Sequence, residues 1–493
     1  MSNFAVRHIE DIRQSDRAAA SQSFRSVSQP FSKLTLSTPS NYSQDVEPCR
    51  RLTGTIHRRI CRYQHESVQT VMIVDRKRLA RIADCAAVLV AAALPWSTSA
   101  TSILLAVWLV TVIPTLDLAA IWREVKSFAG GLPVLLWLLA VVGMLWADVS
   151  WVERFAGLSS FHRLLVIPVL LAQFRRSQNG SWVLHGFSIS TVMLMLASWI
   201  LALTGLPWHN ANNIVGVPVH DMIAQSTLFL IYAFVLFWRA CDLLQGRNWP
   251  MAMAIAGLAA LFIANLVFVA SSRTDIVVFP LLAVLFGWRR FGLSGVIVGC
   301  VAASVLLVAA WMSSPYLRAR VHNALEDVAN YRSTHADSDV GEHIEFLKKS
   351  IAFVREAPVI GHGTGSIPEL FRRSVSGQTG VAAVTSVNPH NQILAVAVQL
   401  GLVGATVLLA MWAAHYFLFR GTNLIAWAGT VVVVQNVVSS LTSSHLFDFV
   451  HGWLYVIAVG VLGGMTLRSR STAAVARDER KSGSGLANFS ASH

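Results

Sequence analysis

The sequence predicts an all-α polytopic membrane protein of about 12 transmembrane helices with one large, partly helical periplasmic loop. Three observations predict it. The 493-residue chain is 54% hydrophobic and only 13% charged, against about a quarter charged in soluble domains. Its mean hydropathy is +0.54. Long apolar runs recur with basic residues at their ends, and one long polar interval, residues 313–390, divides them. A net charge of +13 would suit nucleic acid. The basic residues, however, lie mainly in the N-terminal tail and beside apolar runs, so membrane lipids are the expected surroundings and no nucleic acid is expected.

Residues 1–78 are read as a cytoplasmic tail, because Ser, Gln, Arg and Pro mix there without sustained periodicity; disorder or weak amphipathic structure on the membrane surface follows. No early apolar core of a signal peptide is present, so the first hydrophobic run serves as the insertion signal. Met72, followed by Ile73-Val74-Asp75-Arg76-Lys77-Arg78, offers an alternative start before the first helix. A span takes about 20 apolar residues. Spans are expected at 82–97, 99–116, 131–147, 157–174, 182–204, 221–238, 250–270, 274–288 and 292–312, then at 391–418, 422–441 and 449–467. Residues 79–312 thus hold helices 1–9, residues 391–467 hold helices 10–12, and residues 468–493 form a second cytoplasmic, disordered tail.

Basic residues that flank spans are retained on the cytoplasmic side. Arg76, Lys77, Arg123, Arg175, Arg239, Arg289, Arg290, Arg420, Arg468 and Arg470 fall at the ends and in the even-numbered connections, whereas the short odd-numbered ones carry only Arg154 and Arg273. Both termini are therefore expected inside and residues 313–390 outside, in the periplasm of a Gram-negative cell. Loops of such length are uncommon unless functional. Ile344, Leu347, Ile351, Phe353 and Val354 recur at helical spacing, predicting a helix over 342–356 that lies on the membrane face and ends at Ala357-Pro358. Cys49, Cys61, Cys85, Cys241 and Cys300 form no CxxC pair, so neither a disulfide nor a zinc site is expected.

Three features carry candidate chemistry. Arg273 ends the seventh span after Ser271-Ser272; a guanidinium there is costly unless it binds something, although it could snorkel or pair with Asp275. Gly361-His362-Gly363-Thr364-Gly365-Ser366 could turn its backbone N–H groups into an anion nest, with Ile367-Pro368-Glu369 opening a helix behind it; a plain glycine-rich turn is the ordinary alternative. Asn388-Pro389-His390-Asn391-Gln392 stands where the loop enters the tenth span. A neutral imidazole there suits general base work on a hydroxyl, with Asn388 or Asn391 as a helix cap; a hydrogen-bonded interfacial His is the alternative. His209, His220 and Asn210 before the sixth span, and Ser444, His445 and Asp448 before the twelfth, could share the site. His335, Asp337, Asp339 and His343 match no standard metal spacing and read as a solvated face.

At these residues the chain resembles the O-antigen ligase and polymerase superfamily. The resemblance runs from about Leu79 to Leu467. It rests on Ser272-Arg273 closing a span, the loop helix leading into Glu356-Ala357-Pro358-Val359-Ile360-Gly361, then Asn388 to Gln392 opening a span, and Gln399-Leu400-Gly401-Leu402-Val403-Gly404 after it. It implies an undecaprenyl-diphosphate-linked glycan donor and lipid A-core or another glycan as acceptor, in the bacterial inner membrane, with no cofactor and no metal. On that likeness His390 is the general base and Arg273 holds the donor diphosphate with Gly361, Gly363 and Gly365, while Asn388, Asn391, Gln392, His220, His209, Arg163, His445 and Asp448 support them. Two departures stand out. The connection from Gly205 to Asp221 has no Arg or Lys where a second basic residue is usual, which points to His209, His220 or Arg163 instead. Gly341-Glu342-His343-Ile344-Glu345-Phe346 also departs, with His343 and Phe346 in place of a basic and an aromatic residue. Ligation to lipid A-core and polymerisation of repeats both remain open, and a polysaccharide or lipid transporter is the competing class. Its central spans would carry more charge than these do.

Overall fold

The computed structural model describes residues 76–490 apart from 207, 209–213, 220, 271, 335–338 and 379, and among the described residues all regular structure is helical. The expectations for residues 1–75, including the start at Met72 and the states of Cys49 and Cys61, lie outside them. In chain order the helices are α1 (76–93), α2 (Thr98–Val112), α3 (Leu118–Val125), α4 (Phe128–Gly143), α5 (Trp151–His162), α6 (Val166–Arg176), α7 (Gly180–Thr204), α8 (Met222–Gln245) and α9 (Trp249–Phe268). Then follow α10 (Arg273–Ser313), α11 (Pro315–Thr334), α12 (Asp339–Glu356), α13 (Ile367–Ser374), α14 (Gln392–Leu418), α15 (Leu424–Ser439) and α16 (Phe449–Ser490).

Among the described residues eight helical segments are long and apolar enough to cross a membrane, or nine if α3 and α4, which meet at 84°, make one broken span. The difference from twelve has physical sources. Helix α1 carries Arg76, Lys77, Arg78, Arg81 and Asp84. Helix α15 has only 16 residues. Helix α10 counts once although Gly292, at φ 67 and ψ −148, breaks its helical path. A Cβ on Gly287 would fall 2.0 Å from the Gly295 carbonyl oxygen, and one on Gly299 would fall 2.8 Å from that of Ala283. The expected spans 274–288 and 292–312 are therefore the two arms of one tight hairpin, whose glycines let the backbones touch. At the C-terminus α16 continues to Ser490, so residues 468–490 are helical rather than a disordered tail.

Most basic side chains collect at one end of the bundle. Arg175 pairs with buried Glu124 at 3.0 Å and Arg290 with Asp242 at 2.8 Å. Arg289, Arg468 and Arg470 close helix ends by donating to the carbonyls of Phe419, Ser177 and Leu418. Those carbonyls have no partner within their helices. The starts of α8, α10, α14 and α16 lie at the opposite end, and residues 314–391 join the bundle there.

Among its described residues the interval 313–390 holds α11, α12 and α13 and a 3-10 turn at Gly380–Ala383. Helix α12 ends at Glu356 as Ala357-Pro358 dictates, but its buried face is Phe346, Lys349, Ser350 and Phe353, while Leu347 and Ile351 are exposed. Phe346 and Phe353 meet Phe371 of α13 edge-on, at 5.6 and 5.4 Å between ring centres, and this small core rests on Ala395 and Val398 of α14. Helix α14 itself is broken at Gly401, at φ 63 and ψ −165. Segment 357–365 fills the break. The N–H groups of Leu402 and Val403 donate to Pro358 and Val359, and those of His362 and Gly363 donate to the carbonyls of Val398 and Gln399. A broken helix in an apolar bundle requires such substitutes for its lost bonds.

Candidate functional site

His390 sits at the turn into α14 with φ 53, a left-handed conformation that non-glycine residues seldom adopt. Its N–H donates to Asn388 Oδ1 at 2.9 Å, and Asn388 is in turn held by Ser386. Asn391 caps α14 by accepting from Leu394 N–H at 3.0 Å, and its amide donates to the Leu441 carbonyl at 3.0 Å. Gln392 N–H donates to the Ser440 carbonyl, while its side-chain oxygen accepts from Leu446 N–H, both at 2.9 Å. The Asn388 to Gln392 motif therefore clamps the connection 440–448 to the start of α14.

The His390 ring lies nearly parallel to that of His343, 4.3 Å away, and to that of Phe346, 5.7 Å away. The two departures noted in α12 are thus the residues that flank the candidate base. Burial, with His343 adding a like charge when protonated, pushes the His390 pKa down to about 4. The imidazole is neutral at physiological pH, the form that accepts a proton.

Arg273 opens α10. Its Nε is buried without a hydrogen-bond partner, and among the described residues no ion pair joins it to Asp275, so the pairing alternative is not what the structure has. Thr274 Oγ lies 3.1 Å from Thr442 Oγ. Arg273 and His390, 117 positions apart by subtraction of their numbers, consequently flank one connection.

That connection lines a cleft of about 370 Å³ with Asp221, Asn388, His445, Asp448 and His451 on its walls. Asp221 caps α8 through Ile223 N–H at 2.9 Å. Arg163, in the turn between α5 and α6, donates to the carbonyls of Phe447, at 3.1 Å, and Asp448. Its guanidinium fixes this wall. Asp448 accepts from His451 Nδ1 and from Phe449 N–H; although burial opposes its ionisation, His451, the Phe449 N–H and the charge of His445 together outweigh that and hold its pKa down to about 2. His445 is pushed down to about 3 by burial and by His451.

The glycine run does something other than expected. The N–H groups of Gly361, His362, Gly363, Thr364 and Gly365 donate to Ala357, Val398, Gln399, Gly143 and the Gln399 side chain. None is left to bind an anion. A Cβ on Gly361 would fall 2.5 Å from the Gln399 backbone, and one on Gly365 2.3 Å from the Glu153 carbonyl, so Gly361, Gly363 and Gly365 are packing residues and the donor-binding assignment for them is corrected. His209 and His220 lie outside the described residues, as do His335 and Asp337. Sequence reasoning missed His451, although the even spacing of His445, Asp448 and His451 near a helix start was there to be read.

Residues 258–409 match the O-antigen ligase family model, a stretch that holds Arg273, the loop helices, the glycine run and His390. An uncharacterized protein of Haemophilus influenzae is 25% identical over 172 residues, 34% of this chain and 42% of that protein. The chain thus spans less than half the length of that relative. The family match supports placement in the O-antigen ligase superfamily and points to glycan ligation or polymerisation by a multi-pass membrane protein.

Proposed function

We propose, for a chain whose residues 258–409 match the O-antigen ligase superfamily, transfer of an undecaprenyl-diphosphate-linked glycan to a sugar hydroxyl at the periplasmic face of the inner membrane. Ligation of O-antigen to lipid A-core is the first reading. The observation that supports it is that the neighbours of Arg273 and His390 in the chain, Thr274 on one side and Asn391 and Gln392 on the other, hydrogen-bond to one connection, at Thr442, Leu441 and Ser440. An apolar cavity of about 350 Å³, lined by Phe237, Ile263, Val267 and Phe279, reaches Ser272 and Asp275 at the start of α10. It suits a polyprenyl chain whose diphosphate lies at Arg273.

In the transfer step His390 takes the acceptor hydroxyl proton as that oxygen bonds to the anomeric carbon. The bond from that carbon to the diphosphate oxygen breaks, and its electron pair leaves with the diphosphate. Charge grows on the leaving group, where a fixed guanidinium stabilises it by paired hydrogen bonds. The step as drawn needs neither a nucleotide nor a metal. Deletion of the gene, followed by lipopolysaccharide gel analysis, tests the reading. Core without any O-chain supports ligation, core bearing a single repeat supports polymerisation, and an unchanged profile refutes both.

A further inference from the structure

We propose that the basic end of the bundle holds a site for one anionic phospholipid, with an acyl chain between α7, α15 and α16 and the phosphate at Arg468. Two cavities carry the inference. The first, of about 220 Å³, is lined by Val183, Val235, Ile425, Ala458 and Leu462, and of its lining side chains only His185, Ser188 and Tyr232 are polar. The second, of about 500 Å³, is lined by Ser177, Gly180, Ile425, Met465, Arg468 and Thr472. Ile425 belongs to both. Gly180 and Met465 stand about one helical turn beyond Val183 and Leu462 toward the basic end, so the polar mouth continues the apolar slot on the same three helices.

Length and charge select the occupant. Along α16 the slot runs from Leu454 to Leu462, about 12 Å at the helical rise, against roughly 15 Å for the hydrocarbon depth of one leaflet. The lining of the mouth includes Arg468 and no acidic side chain. Arg468 is anchored through Nη1, which donates to the Ser177 carbonyl at 2.7 Å, and exposed Arg176 adds a second cation next to Ser177. The carboxylates nearby are already engaged. Asp84 accepts from Gln173, Ser177 and Asn179, and Glu124 pairs with Arg123 and Arg175. Basic pockets between transmembrane helices at this boundary take anionic headgroups. No lining residue of either cavity falls within 258–409, so the site is separate from the transfer cleft and does not rest on that reading.

The test is native mass spectrometry of the delipidated full-length protein in detergent, titrated with phosphatidylglycerol and with phosphatidylethanolamine of the same chains. The proposal expects the first phosphatidylglycerol to bind saturably and about 10-fold more tightly than phosphatidylethanolamine. Arg468→Gln, which keeps a donor for the Ser177 carbonyl but loses the charge, should erase that preference. Ala458→Phe, which fills the slot, should weaken both lipids about 10-fold or more, with thermal unfolding of each variant as the folding control. Equal affinity of the wild-type protein for the two lipids overturns the site whatever the variants do, and so do variants that bind as wild type. Glycerol 3-phosphate binding as tightly as the lipid overturns it too, by leaving the slot without a role. Displacement of phosphatidylglycerol by an equimolar short-chain polyprenyl diphosphate overturns it by assigning the slot to the transfer donor.

Discussion

The depressed pKa of His390 makes a quantitative claim about pH. A general base works in its neutral form, and burial beside His343 favours that form by moving the pKa from 6.5 to about 4. At pH 5 a histidine of ordinary pKa would be about 3% neutral, whereas His390 would be about 90% neutral, a difference of about 30-fold in available base. The assay is kcat/KM for transfer from a short-chain polyprenyl-diphosphate sugar in nanodiscs, taken over pH 4.5–8 with unfolding followed in parallel. Activity should hold nearly level down to about pH 5. His343→Ala both exposes the ring and removes a like charge, so its acid limb should move up toward 6.5. His390 also contributes stability that is fully present above 6.5 and lost as pH falls toward about 4, because the unfolded chain binds its proton first. An acid limb near 6.5 in the wild-type protein, or transfer undiminished in His390→Ala, would refute the reasoning.

Three further outcomes follow from the same geometry. Arg273→Ala should lower kcat/KM about 100- to 1000-fold, with Arg273→Lys recovering only part because one ammonium cannot reproduce paired donors; steady-state kinetics on matched amounts of folded protein decides it. Gly401→Ala should destabilise the protein by at least about 2 kcal/mol, since its φ of 63 disfavours any Cβ and that atom would lie 2.1 Å from the Val359 carbonyl oxygen. Gly257, with nothing within 4 Å of its Cβ position, is the control: Gly257→Ala should leave the melting temperature in detergent unchanged or raised. Phe371→Ala, at a fully buried ring, should cost about 3–5 kcal/mol. It should loosen the loop more than the bundle, seen as faster proteolysis within residues 313–390.

The helices, the loop and the position of His390 were legible in the sequence because each depends on local pattern: apolar length, a Pro or Asn at a helix end, a break in hydropathy. What joins them was not. The runs 356–365 and 399–404 read as two separate motifs, yet each satisfies the backbone groups the other leaves open, and nothing in periodicity reports that register. The docking of α12 was hidden for a related reason. Leu347 and Ile351, which fit the helical spacing, stay exposed, while the contact with α14 is made through Phe346 and Phe353, large rings whose partners no periodicity reports. The span count differs where length and composition see one helix and Gly292 turns the chain.

The corrected role of the glycines narrows the electrostatics of the cleft. A diphosphate leaving group gathers negative charge, and three sources of compensation were conceivable from the sequence: the N–H groups of 361–365, Arg163 and Arg273. The first set is committed to α4 and α14, and Arg163 to two carbonyls. Arg273, whose Nε has no partner in the described structure, is left as the single cation of the three free to face the donor. One guanidinium against such a group in a partly buried cleft leaves it under-compensated, and Asp221 and Asp448 on the walls deepen the deficit. Relief of that deficit falls to Arg163, which would leave the carbonyls of Phe447 and Asp448 as the donor enters. Transfer assays on Arg163→Gln test this: a rate lowered about 100-fold or more at unchanged thermal stability assigns the compensation to Arg163, whereas an unchanged rate shows that Arg273 suffices and refutes the deficit.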